Sequence, residues 1–237
     1  MTTQRLLYIC GLLFVAAVIA TGTAGAATAT AGPSMALDDP GVTTPAAHSN
    51  TSTAAGPFPV TLTDATGTPV TIESRPDRVT TTNPSAAQTM WTLGAESQVV
   101  GVTQYASYLD GAETRRNVSA AGLGISVERV VDTEPDLVLA PNATSPQTVE
   151  RLRAANLTVY HFPAATDFAD VAAKTQTIGR VTGNTAAAVE TNRWMWRNVA
   201  AIETQAADGE SPKILYPLLG GFAVGNNTFI NEIITTA

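Results

Sequence analysis

Alternating apolar and polar residues mark the first structured segment of this chain. Residues 58–63 place Val60 and Leu62 between polar neighbours, and residues 70–72 repeat the alternation after an Asp-Ala-Thr-Gly turn. Two alternating runs joined by a turn predict an antiparallel β-hairpin.

Short apolar runs and helical periods then follow one another along the chain. The run Leu-Val-Leu-Ala at 137–140 lacks polar alternation, as expected for a parallel strand covered by helices on both faces. Strands are predicted at 79–82, 99–102, 137–140 and 157–161. Helices are predicted at 86–93, after Ser126, after Ser145-Pro146, and from Asp167 to about 181. This alternation indicates an α/β domain.

The pattern changes after the Gly183-Asn184 break. Residues 185–207 predict one helix, which would be about 34 Å long. A strand at 213–216 and a helix that begins near Thr228 follow it. One strand and one helix cannot bury both faces of a sheet, so we expect this last part to be an incomplete lobe.

The first 57 residues predict export rather than a folded core. A basic start, an apolar run at 6–20 and Ala-Gly-Ala at 24–26 make residues 1–26 a signal peptide or an N-terminal anchor. The run is shorter than the roughly 20 residues of a membrane span, which favours cleavage. Residues 27–57, rich in Thr, Ala, Gly, Ser and Pro, predict a flexible stalk.

Charge and composition exclude several classes of function. The 237 residues carry 13 basic and 20 acidic side chains, a net charge of −7, whereas nucleic-acid binding needs a basic face. Two histidines and one cysteine are too few for a zinc cluster or a disulfide framework. The acidic excess, with lysine only at Lys174 and Lys213, indicates the high-salt surface of a halophilic archaeal protein. A GC-rich genome that favours arginine is the alternative.

Sequons of the form Asn-x-Ser/Thr predict a glycoprotein that works outside the cytoplasm. The glycosylation candidates are Asn50, Asn117, Asn156 and Asn226, and a further sequon begins at Asn142. Together with the leader and the stalk, they predict a protein that is secreted or tethered to the outer face of the cytoplasmic membrane.

Several short motifs, in their order and spacing, resemble one family from about residue 60 to residue 237. The motifs are Pro76-x-Arg78-Val79, Asn83-Pro84-Ser85, Leu93-Gly94-Ala95, Val100-Gly101-Val102, Ser126-x-Glu128-x-Val130 and Glu134-Pro135-Asp136-Leu137-Val138. The chain resembles the extracytoplasmic solute-binding proteins of iron-siderophore and cobalamin ABC importers. The resemblance implies two α/β lobes: a parallel-sheet N-terminal lobe at 58–184, an interlobe helix at 185–207, and the start of a C-terminal lobe at 208–237.

The resemblance also implies roles for particular residues. It implies that Glu128 and Glu232, one exposed acid in each lobe, dock the protein to the permease. The ligand-binding cleft is expected to include Asn83, Pro84, Tyr105, Tyr108, Pro141, Asn142, Gly220, Gly221 and Phe222. Tyr105 and Tyr108 match an aromatic pair of cobalamin-binding relatives, whereas Gly122 and Pro141 stand where those relatives place tryptophans. For a siderophore, Arg115 and Arg116 are the candidate cations.

The implied function is capture without catalysis. We expect a monomer that binds a metal chelate (cobalamin, siderophore or haem-like) and delivers it to the permease and ATPase of an ABC importer. The chelate would be cargo, with no resident cofactor or metal, and His161 would be structural. No nucleophile elbow, phosphate loop or matched acid–base set supports an enzyme. The alternative is an envelope structural or adhesive protein, or a decayed fragment, that keeps the fold without transport.

Overall fold

The computed structural model describes residues 58–122, 124–207, 213–218 and 223–237. The predicted leader, the stalk and the Asn50 sequon lie outside these residues, as do Gly220, Gly221 and Phe222 of the predicted cleft. Among the described residues, no helix combines the length and the apolar character needed to cross a membrane.

A β-hairpin opens the described chain, as the alternation predicts. Strand β1 (Val60–Thr63) pairs antiparallel with β2 (Pro69–Ile72). The Asp64 carboxylate accepts hydrogen bonds from the backbone amides of Thr66 and Thr68 and so fixes the turn between the strands. Val70 and Ile72 are buried and belong to the main core.

Five parallel strands form the central sheet in the order β5-β4-β3-β6-β7. They are β3 (Val79–Thr81), β4 (Val99–Val102), β5 (Arg116–Asn117), β6 (Leu137–Ala140) and β7 (Val159–His161). All four residues of β6 are buried, because apolar clusters lie on both faces of the sheet. The two-residue edge strand β5 carries no apolar run and was not predicted from the sequence.

Six α-helices accompany these strands in the described residues. They are α1 (Pro84–Thr92), α2 (Val127–Val131), α3 (Pro146–Ala154), α4 (Phe168–Thr182), α5 (Thr185–Ala206) and α6 (Phe229–Thr236). Side-chain caps fix several starts: Ser126, Ser145 and Asp167 each accept a hydrogen bond from the backbone amide three residues ahead. Gly183, at φ 76°, ends α4 in the left-handed conformation that favours glycine.

The strand predicted at 213–216 does not form. In the described residues of this region, the antiparallel contact is a single bridge between Pro217 and Ala223. Leu215 is 79% exposed, and Ile214, Tyr216 and Leu218 are exposed as well. An apolar run becomes a strand only where a neighbouring strand takes up its backbone hydrogen bonds, which is why the sequence pattern alone was misleading here. The helix predicted from Thr228 is confirmed as α6.

Candidate functional site

The order of strands reverses between β3 and β6, which makes this point a switch point of the sheet. The helix after β3 covers one face, through Ala86 and Met90, and the helix after β6 covers the other, through Val149 and Leu152. The two connections therefore leave the sheet in opposite directions. In open α/β sheets, ligands bind in the crevice that such a divergence creates at the carboxyl ends of the strands.

Four of the predicted cleft residues lie at this switch point. Asn83 and Pro84 follow β3, and Pro141 and Asn142 follow β6, the strand beside it. The Asn83 side chain caps α1 by accepting a hydrogen bond from Ser85 N at 2.9 Å. Pro141 is buried, whereas Asn142 is exposed. Asn142 is therefore the more accessible side chain on the β6 side of the crevice.

The predicted tyrosine pair lies on the connection that follows β4. Tyr105 is 44% exposed and Tyr108 is 64% exposed. The Tyr105 hydroxyl donates to the carbonyl oxygen of Gly122 at 3.3 Å, which anchors its ring to the connection between β5 and α2. Because β4 is the neighbour of β3, both rings lie on the same edge of the sheet as Asn83.

A buried network of hydrogen bonds joins the connections that form the crevice. The Thr82 and Thr144 hydroxyls lie 2.6 Å apart, and His161 Nε2 lies 3.0 Å from the carbonyl oxygen of Thr144. A carbonyl only accepts, so the ring proton is on Nε2. All three residues are buried. The network ties the connections after β3 and β6 to β7, which makes His161 a structural support of the loop that carries Asn142.

A lysine that the sequence analysis did not assign to the site also reaches this edge. Lys174, on α4, donates from Nζ to Ser85 Oγ at 2.8 Å. Its side chain contributes to a cavity of about 270 Å³ whose walls include Tyr160 and Phe162. Burial lowers the pKa of Lys174. A partly buried cation thus lies beside the start of α1.

The two predicted docking acids occupy the first turns of separate helices. Glu128 is exposed on α2, and its Oε2 accepts from the Ser126 hydroxyl at 2.7 Å. This hydrogen bond is the main cause that lowers the pKa of Glu128. Glu232 lies half-buried on α6. Glu128 is therefore held as an oriented, ionised carboxylate on the surface of the first lobe.

The candidate arginines for a siderophore lie on the outer side of the sheet. Arg116 is exposed on edge strand β5 and lines a cavity of about 320 Å³ with Asn117, Arg129 and Asp132. Arg115 is half-buried. Among the described residues, no three His, Cys, Asp or Glu side chains come together as a metal site.

Three of the predicted glycosylation candidates fall within the described residues, and all are exposed: Asn117, Asn156 and Asn226. The Asn117 side-chain oxygen accepts from Ser119 N at 2.9 Å. Its amide nitrogen, which is the atom that would carry a glycan, is not used in that bond.

Residues 79–237 match the family of periplasmic binding proteins. The chain belongs to this family. Its members are extracytoplasmic transport components and not enzymes, as the sequence analysis predicted. The α/β fold with a parallel sheet agrees with that of the two-lobed binding proteins.

Known relatives are similar along most of this periplasmic binding protein. A cobalamin-binding protein of Halobacterium salinarum is 48% identical over 196 residues, which are 81% of this chain and 53% of the relative. The chain therefore spans about half the length of the curated relatives it matches. The solved heme-binding protein HmuT aligns with a TM-score of 0.63 and 21% identity, over 84% of this chain and 66% of that one. The vitamin B12-binding protein BtuF of Vibrio cholerae aligns with a TM-score of 0.60 and 19% identity, over 68% and 64% of the two chains. These two structures establish the fold alone.

Sequence reasoning missed Lys174 and Ser85 as site residues. Ser85 was named only as part of the motif Asn83-Pro84-Ser85, and Lys174 lies seven residues into α4, far from any strand end in the sequence. The scarcity of lysine was the signal available in the sequence, because the chain contains only two lysines. The structure adds that α4, which carries Lys174, packs against α1.

Proposed function

We propose that this periplasmic binding protein captures a metal chelate outside the cell and delivers it to the permease and ATPase of an ABC importer. Cobalamin is the first candidate ligand, and a haem-like chelate is the second. The observation that carries the proposal is the 48% identity to the Halobacterium cobalamin-binding protein.

The exposed aromatic pair supports a flat, partly apolar ligand. Tyr105 and Tyr108 lie on the edge of the sheet where α/β folds bind ligands. Aromatic faces pack against a macrocycle while their hydroxyls keep contact with water or with polar groups. The proposed ligand is cargo, so it is released chemically unchanged.

Delivery would use the two acids, exposed Glu128 and half-buried Glu232. Glu128 is an oriented carboxylate on the first lobe, and Glu232 lies in the first turn of a helix in the second part of the chain. Complementary charge steers two proteins together and fixes their register. Basic pockets on the permease are the matching chemistry.

The direct test is equilibrium binding by the full chain, titrated calorimetrically with cyanocobalamin and with haemin. We expect binding of one of them at micromolar concentration or tighter, and a Tyr105→Ala/Tyr108→Ala variant that binds much more weakly. Trp196→Ala is the matched control, because Trp196 is an exposed aromatic residue on α5, a helix that follows another helix and not a strand. Wild-type protein that binds neither chelate would overturn the proposal, and equal loss in the control variant would remove the role of the tyrosines.

A further inference from the structure

Lys174 places a positive charge next to the crevice. Its ammonium lies 2.8 Å from Ser85 Oγ, and Ser85 is an exposed residue in the first turn of α1. Asn83 and Pro84, the predicted cleft residues that follow β3, directly precede Ser85. The charge of Lys174 therefore lies near the carboxyl end of β3, the central strand of the sheet.

This charge has no acidic partner among the described residues. The two ion pairs found there are Arg153–Asp64 and Arg193–Glu190. Asp170 is one turn away on α4, but its carboxylate accepts two hydrogen bonds from Thr166. Partial burial of an ammonium costs free energy unless a counter-charge compensates it, and burial lowers the pKa of Lys174 accordingly.

The start of α1 adds to the positive potential at this position. The amino end of a helix carries a partial positive charge, so a cation placed beside it is unfavourable. Lys174 and the first turn of α1 meet through the Ser85 hydroxyl. A negative group bound between them would relieve both the desolvation cost and the repulsion.

The neighbouring cavity can take the apolar part of a ligand. It measures about 270 Å³ and is lined by Lys174 together with the aromatic Tyr160 and Phe162. The carboxylate of Asp64, which also borders it, is already paired with Arg153. Asp170 lines the cavity as well, with its carboxylate held by two hydrogen bonds from Thr166. Lys174 is the one cation among the described residues that line the cavity.

We propose that Lys174 is a specificity-determining residue that binds an anionic group, a carboxylate or a phosphate, of the captured chelate. This inference rests on the proposed function and assigns the cation to α4 instead of to Arg115 or Arg116. Arg116 lies on β5 at the outer edge of the sheet, two strands away from β3.

The test compares probes that carry an anionic group, called the charged probes, with neutral counterparts that lack this group, in the full chain. Cyanocobalamin carries a phosphodiester that dicyanocobinamide lacks, and haemin carries carboxylates that its dimethyl ester lacks. For the charged probe that binds, we expect Lys174→Gln to weaken affinity by roughly tenfold to a hundredfold, the range of a charged hydrogen bond. Lys174→Arg should restore most of the affinity, and the neutral counterpart should bind wild type and Lys174→Gln alike. The pair of probes that shows the effect identifies the group as phosphate or carboxylate.

A second measurement reports directly on the accessibility of the Lys174 ammonium. The chain contains two lysines, so acetylation of Lys174 can be followed by mass spectrometry with the exposed Lys213 as the internal reference. We expect the bound charged probe to slow acetylation of Lys174 relative to Lys213. Chelate binding that Lys174→Gln leaves unchanged, with no protection of Lys174, overturns this inference and leaves the proposed function intact. Wild-type protein that binds neither chelate overturns both.

Discussion

Arg153 of α3 and Asp64 of the first hairpin form an ion pair across 89 positions of the sequence. The same carboxylate accepts hydrogen bonds from the Thr66 hydroxyl and from the backbone amide of His161. The Asp64 side chain is fully buried, and the Arg153 side chain is 24% exposed. The Asp64 carboxylate therefore joins the hairpin both to α3 and to the end of β7, beside the crevice.

Asp64→Asn should destabilise the protein by about 3 kcal/mol at pH 7, because it leaves the partly buried Arg153 without its counter-charge. Glu190→Gln, in the exposed pair with Arg193, is the matched control and should cost no more than about 0.5 kcal/mol. Urea unfolding measures both. Equal small losses would show that the Arg153–Asp64 pair adds no more than a surface pair.

The stability supplied by Asp64 should also depend on pH. Burial alone would raise its pKa, but hydrogen bonds from Thr66, the His161 amide and Arg153 outweigh burial and lower the pKa below its ordinary value of 3.8. A group with a lowered folded pKa stabilises the fold above its unfolded value and loses that contribution as the pH falls towards the folded value. The difference in unfolding free energy between wild type and Asp64→Asn should therefore shrink below about pH 3.8. A difference that stays constant down to pH 2 would contradict this assignment.

Gly179→Ala should push α4 and α5 apart. A Cβ at Gly179 would lie 2.5 Å from the Cβ of Ala188, which is closer than two carbon atoms can approach. Overpacking of this kind costs about 1–3 kcal/mol. Ala188→Gly in the same chain should recover part of the loss, and Gly225→Ala, with no atom of the described residues within 4 Å of the new Cβ, should be neutral. Thermal unfolding measures these changes in stability. An unchanged stability of Gly179→Ala would show that α4 and α5 can move apart at no cost in free energy.

The Thr82 and Thr144 hydroxyls should be coupled energetically. Thr82→Val leaves the buried Thr144 hydroxyl without this partner, and Thr144→Val does the reverse, so each should cost about 1–2 kcal/mol. The double variant should lose less than the sum of the two single variants, since it removes both partners. A double-mutant cycle by chemical denaturation measures this, and strict additivity would show that the contact contributes nothing.

Glu128→Gln should separate docking from capture. Removal of its charge should leave affinity for the chelate unchanged and reduce uptake in cells that depend on this receptor, because Glu128 is an exposed acid on α2 whose side chain is hydrogen-bonded to Ser126. Glu150→Gln, an exposed acid on α3, is the matched control and should leave uptake unchanged. Normal uptake with Glu128→Gln would remove this residue from the docking surface.

The regular elements of the first lobe could be predicted because their signals are local. The unalternating run at 137–140 predicted a strand that is buried on both faces, and Ser126, Ser145 and Asp167 cap the helices that they were expected to begin. The long helix at 185–207 was also predicted to within one residue. In each case the deciding residues lie within one turn or one strand of the element.

The site could be predicted only in part, because its other contacts join distant positions. The place of Asn83, Tyr105 and Pro141 at one edge of the sheet could be predicted, since parallel strands bring their carboxyl ends together, and their role in ligand binding stays a prediction. The Lys174–Ser85 hydrogen bond spans 89 positions, and the Thr82–Thr144 contact spans 62. No period or motif in the sequence specifies such contacts. The strand predicted at 213–216 was wrong for the same reason. A segment forms a strand only beside a partner strand, and its own sequence does not show whether that partner is present.

The central position of β3 also affects the order in which the strand pairs of the sheet can form. Val79 pairs with Val99 on one side and with Leu137 on the other, so one edge of β3 stays open until a further 38 residues have been added. Because a longer loop costs more entropy to close, we expect the pairing of β3 with β6 to form after its pairing with β4.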